Sequence, residues 1–288
     1  MCLSSKINIV IVTYNNKSIL KRTLPGIVSE AFTVNAGIII VDNNSRDGTA
    51  QWISRKYKTI RVVALPVNSG FAKANNVGIG MCRSKYVLLL NPDVIVPPQS
   101  ITKILEWMDR NPSIGIAGPK LLNENGTIQY SCRRFPTLFS YFAEIIRFDN
   151  MFPKSRFGRR YLMKDYDHKT PCDVDYICGA VMLIRAEVFA KVGLLDEAFF
   201  MYAEEAELCW RAFKNNFRVA YWPITTMIHI GGESSKSLHK EMYSENIRSR
   251  WLFFKRTKGM FLAMLYLMTA VMYSIITGKE ICSQLWRK

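Results

Sequence analysis

Acidic side chains are the scarce class in this 288-residue chain: 23 Asp and Glu stand against 39 Lys and Arg, a formal net charge of +16. A surplus of that size points to an anionic partner, whether a nucleotide phosphate, a nucleic acid or a membrane surface. Cysteine patterning is also missing. The seven cysteines form no C-x-x-C pair and no His-containing zinc spacing, which leaves no zinc framework and fits reduced thiols in a cytosolic environment. No secretory leader is visible, because the apolar run at 7–12 is too short for one and carries Asn8. The expectation is a protein that is not secreted. Internal repeats and low-complexity linkers are absent too, and with 49% hydrophobic residues the chain can bury a large core as one α/β domain or two small ones.

What is present is an alternation. Ile7–Thr13 (INIVIVT), 37–41 (GIIIV) and Tyr86–Leu90 (YVLLL) read as short buried strands, with a weaker one at 61–65. Between them lie helical patterns with start signals at Ser18 and Asp47. Strand and helix in alternation predict an α/β fold, a mostly parallel Rossmann-like sheet flanked by helices. From 133 to 169 the composition turns aromatic and basic with weak periodicity, which reads as an excursion from the sheet, a loop or lid on the acceptor side. It contains no recognisable RNA or DNA module, so no nucleic-acid partner is expected. Apolar character returns at 174–185, then helices follow, then a strand-like 218–222.

In such sheets ligands bind beyond the carboxyl ends of the strands. Those ends are Thr13-Tyr14-Asn15-Asn16, Asp42-Asn43-Asn44-Ser45 and Asn91-Pro92-Asp93, all polar. Asp93 can hold Mg²⁺ or Mn²⁺, face a sugar hydroxyl, or cap a turn before the next helix. Asp42 suits a base edge or ribose, whereas Asp47 reads as a helix cap. The stretch 68–78 (NSGFAKANNVG) joins a glycine turn, amides and a lysine, donors suited to a diphosphate at a helix N-terminus, with a plain Asx turn as the competing reading.

In 203–213 (AEEAELCWRAF), taken as a helix, Glu205 shares a face with Leu208, Cys209, Ala212 and Phe213. Glu207 pairs with Arg211 four residues on as an ordinary solvated ion pair, with Glu204 beside them, so Glu205 alone aims inward. A carboxylate at the head of an apolar face has a raised pKa and makes a general base near neutrality. His229, before a glycine pair and serines, suits a metal or a diphosphate oxygen. Residues 259–278 carry no charge over about the length of a spanning helix, and their flanks are basic. From Asn246 onward eight basic residues face Glu280 alone, a local +7. This segment reads equally as a span, a core helix or an in-plane helix.

Taken together, "VTYNN", "VDNNSRDGT", "NSGFAKANNVGI", "LLLNPDV", "CGAVMLIRAEVFAKVGLLDEAFFMYAEEAELCWR" and "HIGGESS" resemble a family-2 glycosyltransferase of the GT-A fold, nearest the bacterial rhamnosyltransferase-like branch, over roughly 7–235. The resemblance implies that Thr13, Tyr14 and Asp42 hold the nucleotide, with Asn68 and Asn75 near the ribose and diphosphate. Asn91-Pro92-Asp93 stands as an Asn-first variant of the family's metal motif, Asp93 and His229 as contacts of Mg²⁺ or Mn²⁺, and Glu205 as the catalytic base. The family usually shows Glu-Asp and then Asp two residues on; here Glu204-Glu205 and Glu207 stand instead. The implied activity is inverting transfer of a sugar, first choice dTDP-rhamnose as donor, to a saccharide or lipid-linked acceptor in cell-envelope polysaccharide synthesis. A catalytically inactive membrane-tethered module is the alternative. The expected division is a catalytic domain at 1–238 and a membrane-associating helical segment at 239–288. The expected location is cytoplasmic, at the inner face of the membrane and against anionic lipid.

Overall fold

Strand β1 (Ile7–Thr13) alternates Ile7, Ile9 and Ile11 with Val10 and Val12, and this period of two sends the isoleucines into one core and the valines toward the opposite face. A strand buried on both sides belongs at the centre of a sheet covered by helices. The computed structural model describes residues 5–145, 161–231 and 239–278. The chain runs from β1 through α1 (Lys17–Thr33), β2 (Gly37–Asp42), α2 (Thr49–Lys56), β3 (Arg61–Ala64) and α3 (Phe71–Gly80) to β4 (Tyr86–Leu90) and β5 (Val94–Ile95). It continues as α4 (Ser100–Arg110), β6 (Ile114–Leu122), β7 (Ile128–Gln129), β8 (Cys132–Arg133), α5 (Leu138–Ile145), β9 (Cys172–Asp173), β10 (Tyr176–Ile177) and β11 (Val181–Arg185). The final elements are α6 (Ala186–Val192), α7 (Glu204–Lys214), β12 (Arg218–His229), α8 (His239–Thr257) and α9 (Met260–Thr277).

The main sheet has the order β3-β2-β1-β4-β11-β6-β12-β5. β1, β2, β3 and β4 run parallel, as does the β6–β12 pair, while β11 lies antiparallel between β4 and β6. The four expected strands of the first half are all present, β2 and β3 shifted by one residue at an end. The apolar stretch 174–185 divides into β10 and β11 around a turn at Cys178–Ala180, and the expected strand at 218–222 is the first part of a longer β12. Within the excursion at 133–169, α5 and the segment 161–169 pack on the body; residues 146–160, where a lid was expected, lie outside the described residues, as do 232–238.

Strand β6 escaped the sequence reading because Gly115, Gly118 and Pro119 interrupt its apolar pattern. Gly118 has a packing reason: a Cβ there would lie 2.3 Å from a methyl of Ile177 on β10. β12 continues past Pro223 through a register shift between Trp222 and Thr226, and its last residues pair antiparallel with β5, Ile228 opposite Ile95 and His229 opposite Val94. Since β5 begins four residues after β4 ends, the sheet closes back on its own middle at this end.

Helix α1 pins the closing segment. The buried Thr23 hydroxyl donates to the Pro92 carbonyl at 2.7 Å, and the buried Glu30 carboxylate accepts the N–H groups of Gln99 at 2.6 Å and Ile101 at 3.0 Å, capping α4 from another helix. Replacing Glu30 by Ala strips the buried Ile101 N–H and the part-buried Gln99 N–H of their acceptor, so urea unfolding should show a loss of about 1–3 kcal/mol. The exposed Glu106→Ala should serve as a near-neutral control.

Candidate active site

The carboxyl ends of β1, β2 and β4 open into one cleft of about 300 Å³, lined by Tyr14, Asn68, Asn91, Asp93 and His229 together with Glu204 and Glu205. Met242 of α8 also lines it, so the segment after 239 forms part of the cleft wall. Thr13 and Asp42 face each other in the β1–β2 register behind this wall. Both are buried, and Thr13 Oγ1 and Asp42 Oδ1 have no hydrogen-bond partner among the described residues, while Asp42 Oδ2 accepts the Ser45 N–H at 3.0 Å. Two orphaned oxygens at a strand end fit a polar ligand group. Asn75 is not on the wall: it is buried in α3 and its side-chain amide donates to the Phe71 carbonyl at 2.9 Å. Asp47 caps as expected, accepting the N–H groups of Thr49 and Lys17 at the starts of α2 and α1. Burial alone would raise its pKa, and these bonds outweigh that and hold the carboxyl low.

The loop at 68–70 is set by Asn43, which the sequence placed at a polar strand end beside Asp42. Its amide donates to Asn68 Oδ1 at 2.8 Å and to the Gly70 carbonyl, and its own oxygen accepts the Ser69 N–H at 2.8 Å. Gly70 has φ +86°, and a Cβ there would lie 2.5 Å from the Phe200 carbonyl oxygen. Only glycine fits this position. The Phe71 N–H, first of α3, donates to that same carbonyl at 2.6 Å.

Asp93 and His229 meet where β5 and β12 pair, with side chains only 11% and 13% exposed and Nε2 to Oδ1 at 3.2 Å. Gln129 decides the imidazole's tautomer. Its amide nitrogen donates to Asn123 Oδ1 at 3.1 Å, and Asn123 in turn donates to the Thr127 hydroxyl, so the Gln129 oxygen faces His229 Nδ1 at 2.7 Å. That oxygen can only accept, which places a proton on Nδ1 and leaves Nε2 as the ring nitrogen that faces the Asp93 carboxylate. Asp93 Oδ1 and Asn91 Oδ1 are buried without a hydrogen-bond partner. Converging acceptors of this kind fit a divalent cation. One carboxylate and one imidazole leave the remaining positions to substrate phosphates, as Mg²⁺ and Mn²⁺ sites commonly do. Among the described residues no group of three or more His, Cys, Asp and Glu gathers to hold a metal, at this site or elsewhere.

Helix α7 starts at Glu204 after two consecutive left-handed residues, Tyr202 at φ 72° and Ala203 at φ 65°. This strained entry turns both Glu204 and Glu205 into the cleft. The expectation that Glu205 alone points inward is corrected here: Glu204 is the more buried, and a third carboxylate, Glu245 of α8, stands near it. Glu207 and Arg211 are not a solvated pair either. They are 6% and 26% exposed because Arg211 also donates to the Val192 and Leu194 carbonyls, and that loop covers the pair. Leu208, Cys209 and Ala212 are buried as the helical face requires, while Phe213 is more than half exposed.

Burial raises the pKa of both cleft glutamates. Glu204 rises further, since Glu205 and Glu245 add repulsion, whereas for Glu205 the Arg133 guanidinium of β8 works the other way. Both are raised, and Glu204 is pushed further toward its protonated form than Glu205. Burial also raises the Cys178 thiol on the same wall, so it is no nucleophile. Arg133, Gln129 and Glu245 were not singled out in the sequence. Nothing local marks them, because each acts on a residue far along the chain.

The profile of glycosyl transferase family 2 matches residues 8–193. The chain is a family-2 glycosyltransferase. It is 27% identical over 232 residues to the N-acetylglucosaminyl-diphospho-decaprenol L-rhamnosyltransferase of Mycobacterium tuberculosis, covering 77% of this chain and 75% of the relative. It is 23% identical over 258 residues to the rhamnosyltransferase WbbL of Escherichia coli, covering 87% and 93%. In fold it is similar to the mannosyltransferase PcManGT of Pyrobaculum calidifontis, solved with GDP-Man and Mn²⁺, with a TM-score of 0.59 and 12% identity over 98% of this chain and 77% of that one. The sheet of this glycosyltransferase is thus the GT-A type expected.

Two outcomes follow from the site of this family-2 enzyme. Gln129→Leu, which frees the His229 ring, should weaken Mn²⁺ binding by about 10–100-fold in an electron-paramagnetic-resonance titration while leaving the thermal midpoint nearly unchanged. Glu204 has a folded pKa raised above its unfolded value, so its contribution to stability is full below about 4.3 and is lost as pH rises through the folded pKa. The thermal midpoint of Glu204→Gln should therefore gain on that of the wild type as pH rises from 4.3, and a constant gap would contradict the buried-pair reading.

Proposed function

We propose that this glycosyltransferase acts with inversion and a divalent cation, moving rhamnose from dTDP-rhamnose to a lipid-linked saccharide at the cytoplasmic face of the membrane. The observation that carries the reading is that Glu205 faces the same cleft as the Asp93–His229 pair. The choice of sugar rests on the names of the rhamnosyltransferase relatives, and the lipid-linked acceptor on the decaprenol relative.

In the proposed reaction Tyr14, Thr13 and Asp42 hold the nucleotide at the ends of β1 and β2, and Asn68 borders the ribose side of the cleft. Asn75, buried behind Phe71, supports that wall and does not touch the donor. Glu205 accepts the proton of an acceptor hydroxyl as its oxygen attacks the anomeric carbon from the face opposite the leaving group. The new C–O bond forms as the bond to the diphosphate breaks, and the nucleoside diphosphate leaves with the electron pair. Asp93 and His229 would hold Mg²⁺ or Mn²⁺, which when bound would neutralise charge on the departing diphosphate. Gln129 orients the His229 ring by accepting from Nδ1, and the Arg133 guanidinium opposes the rise that burial imposes on Glu205.

Glu205→Gln should lower kcat by about 10²–10⁴-fold with dTDP-rhamnose while donor binding persists, read by nucleoside diphosphate release and by calorimetry. The acid limb of the wild-type profile of kcat/KM should lie above the ordinary glutamate range of about 4.3, in keeping with the raised base. Full activity in Glu205→Gln would overturn the assignment of the base, and tight donor binding with no turnover in the wild type would favour the inactive module.

A further inference from the structure

Helix α9 has two opposed faces. Ala263, Tyr266, Ala270 and Ser274 are buried, at helical spacing along one side. On the opposite side Phe261, Met264, Met268, Met272, Ile275 and Ile276 are 45–80% exposed, and no polar side chain interrupts them. Exposed apolar surface of this continuity calls for a cover. The helix is long enough and apolar enough to cross a membrane, so length alone leaves span and in-plane helix equal.

The buried face separates them. α9 folds back along α8 from the turn at Gly259. Tyr266 stacks near Phe254 of α8 at 5.4 Å and near Tyr141 of α5 at 5.6 Å, and four turns from the hairpin Tyr243 and Ser274 hydroxyls lie 3.2 Å apart. α8 cannot follow α9 into hydrocarbon, for it carries Glu245, Arg248, Arg250, Lys255 and Arg256 and lends Met242 to the cleft. A spanning α9 would have to leave α8 along its whole length.

We infer that α9 lies in the plane of an anionic bilayer, its Phe261–Ile276 stripe immersed at the acyl boundary while its other face stays docked on α8 and α5. Charge favours the bilayer over a second copy of the chain. Exposed Lys255 and Lys258 sit at the hairpin, Lys279 follows the helix in sequence, and a chain of net +16 repels its own copy but is drawn to anionic head groups. The consequence deepens the proposed function and rests on it for the acceptor: α8, on which α9 is docked, lends Met242 to the cleft wall, so the cleft borders the helix pair that lies on the bilayer. The head group of a lipid-linked saccharide then reaches Glu205 without leaving the membrane surface.

The test uses the full chain with a C-terminal epitope. Wild-type protein should sediment with vesicles of equal parts phosphatidylglycerol and phosphatidylethanolamine and far less with phosphatidylcholine. The triple variant Phe261→Ser, Met268→Ser, Ile275→Ser should lose roughly a hundredfold in partitioning while keeping its thermal midpoint. In inverted membrane vesicles the epitope should be open to protease. A protected epitope would establish a span and overturn the inference. So would unchanged partitioning of a folded triple variant, or a soluble wild-type dimer that the variant breaks. Because Lys255, Lys258 and the stripe lie outside the cleft, nucleoside diphosphate release from dTDP-rhamnose in detergent, measured beside the sedimentation, reports on the proposed reaction separately. Should the variant fold poorly, Phe261→Ser alone gives the same comparison at smaller amplitude.

Discussion

The pairing of β12 with β5 is the contact on which the site depends. It consists of two residue pairs, Ile228 with Ile95 and His229 with Val94, extended by the Ile230 N–H donating to the Asp93 carbonyl at 3.0 Å. Through it a residue from the far end of the sheet order meets a residue that leaves the sheet's middle, and the sheet closes on itself at that point. Period-two alternation makes register critical: a slip of one residue would turn His229 away from Asp93. The surrounding structure fixes the register from both directions. Thr23 and Glu30 of α1 hold the segment on either side of β5, and the register shift after Trp222 sets the phase of the last stretch of β12.

Around that contact the charges are arranged in opposition. One wall of the cleft brings together the unpartnered oxygens of Asn91 and Asp93 and the Nε2 of His229. The other gathers carboxyls in a dry setting, where desolvation and mutual repulsion raise pKa values, and a single guanidinium from β8 biases which of them stays ionised. In the proposed reaction the first wall would take a cation with its anionic ligand and the second a proton. A donor sugar between them would meet both, which is the physical content of a displacement with general-base help.

Much of the first half was legible because strong local signals decide it. β1, β2 and β4 are apolar runs ending at polar residues, and those ends form the cleft floor as a parallel sheet requires. Asp93, Glu205 and His229 were found through their settings in the chain and do share one cleft. What stayed hidden involves partners distant in sequence. β6 looks broken until β10 is seen to occupy the space a Gly118 side chain would take. β12 reads as ending at Pro223 because the strand beyond it depends on the two-residue β5. Asn75 looked like a donor to ligand, but helical geometry lets its amide reach back one turn. Glu207 looked solvated because a helical wheel does not show the loop of Val192 to Leu194 that covers it.

The carbonyl of Phe200 touches both halves of the site. It accepts the Phe71 N–H and occupies the space a Cβ on Gly70 would need, and four residues later the chain enters the helix bearing Glu204 and Glu205. The loop at 68–70 and the segment that aims the glutamates are thus one mechanical piece. For anyone grafting a relative's loop to change nucleotide preference, the transplant unit runs past the loop itself. The stretch around Phe200 would have to travel with it, or the new loop would shift the carboxylate it was never meant to touch.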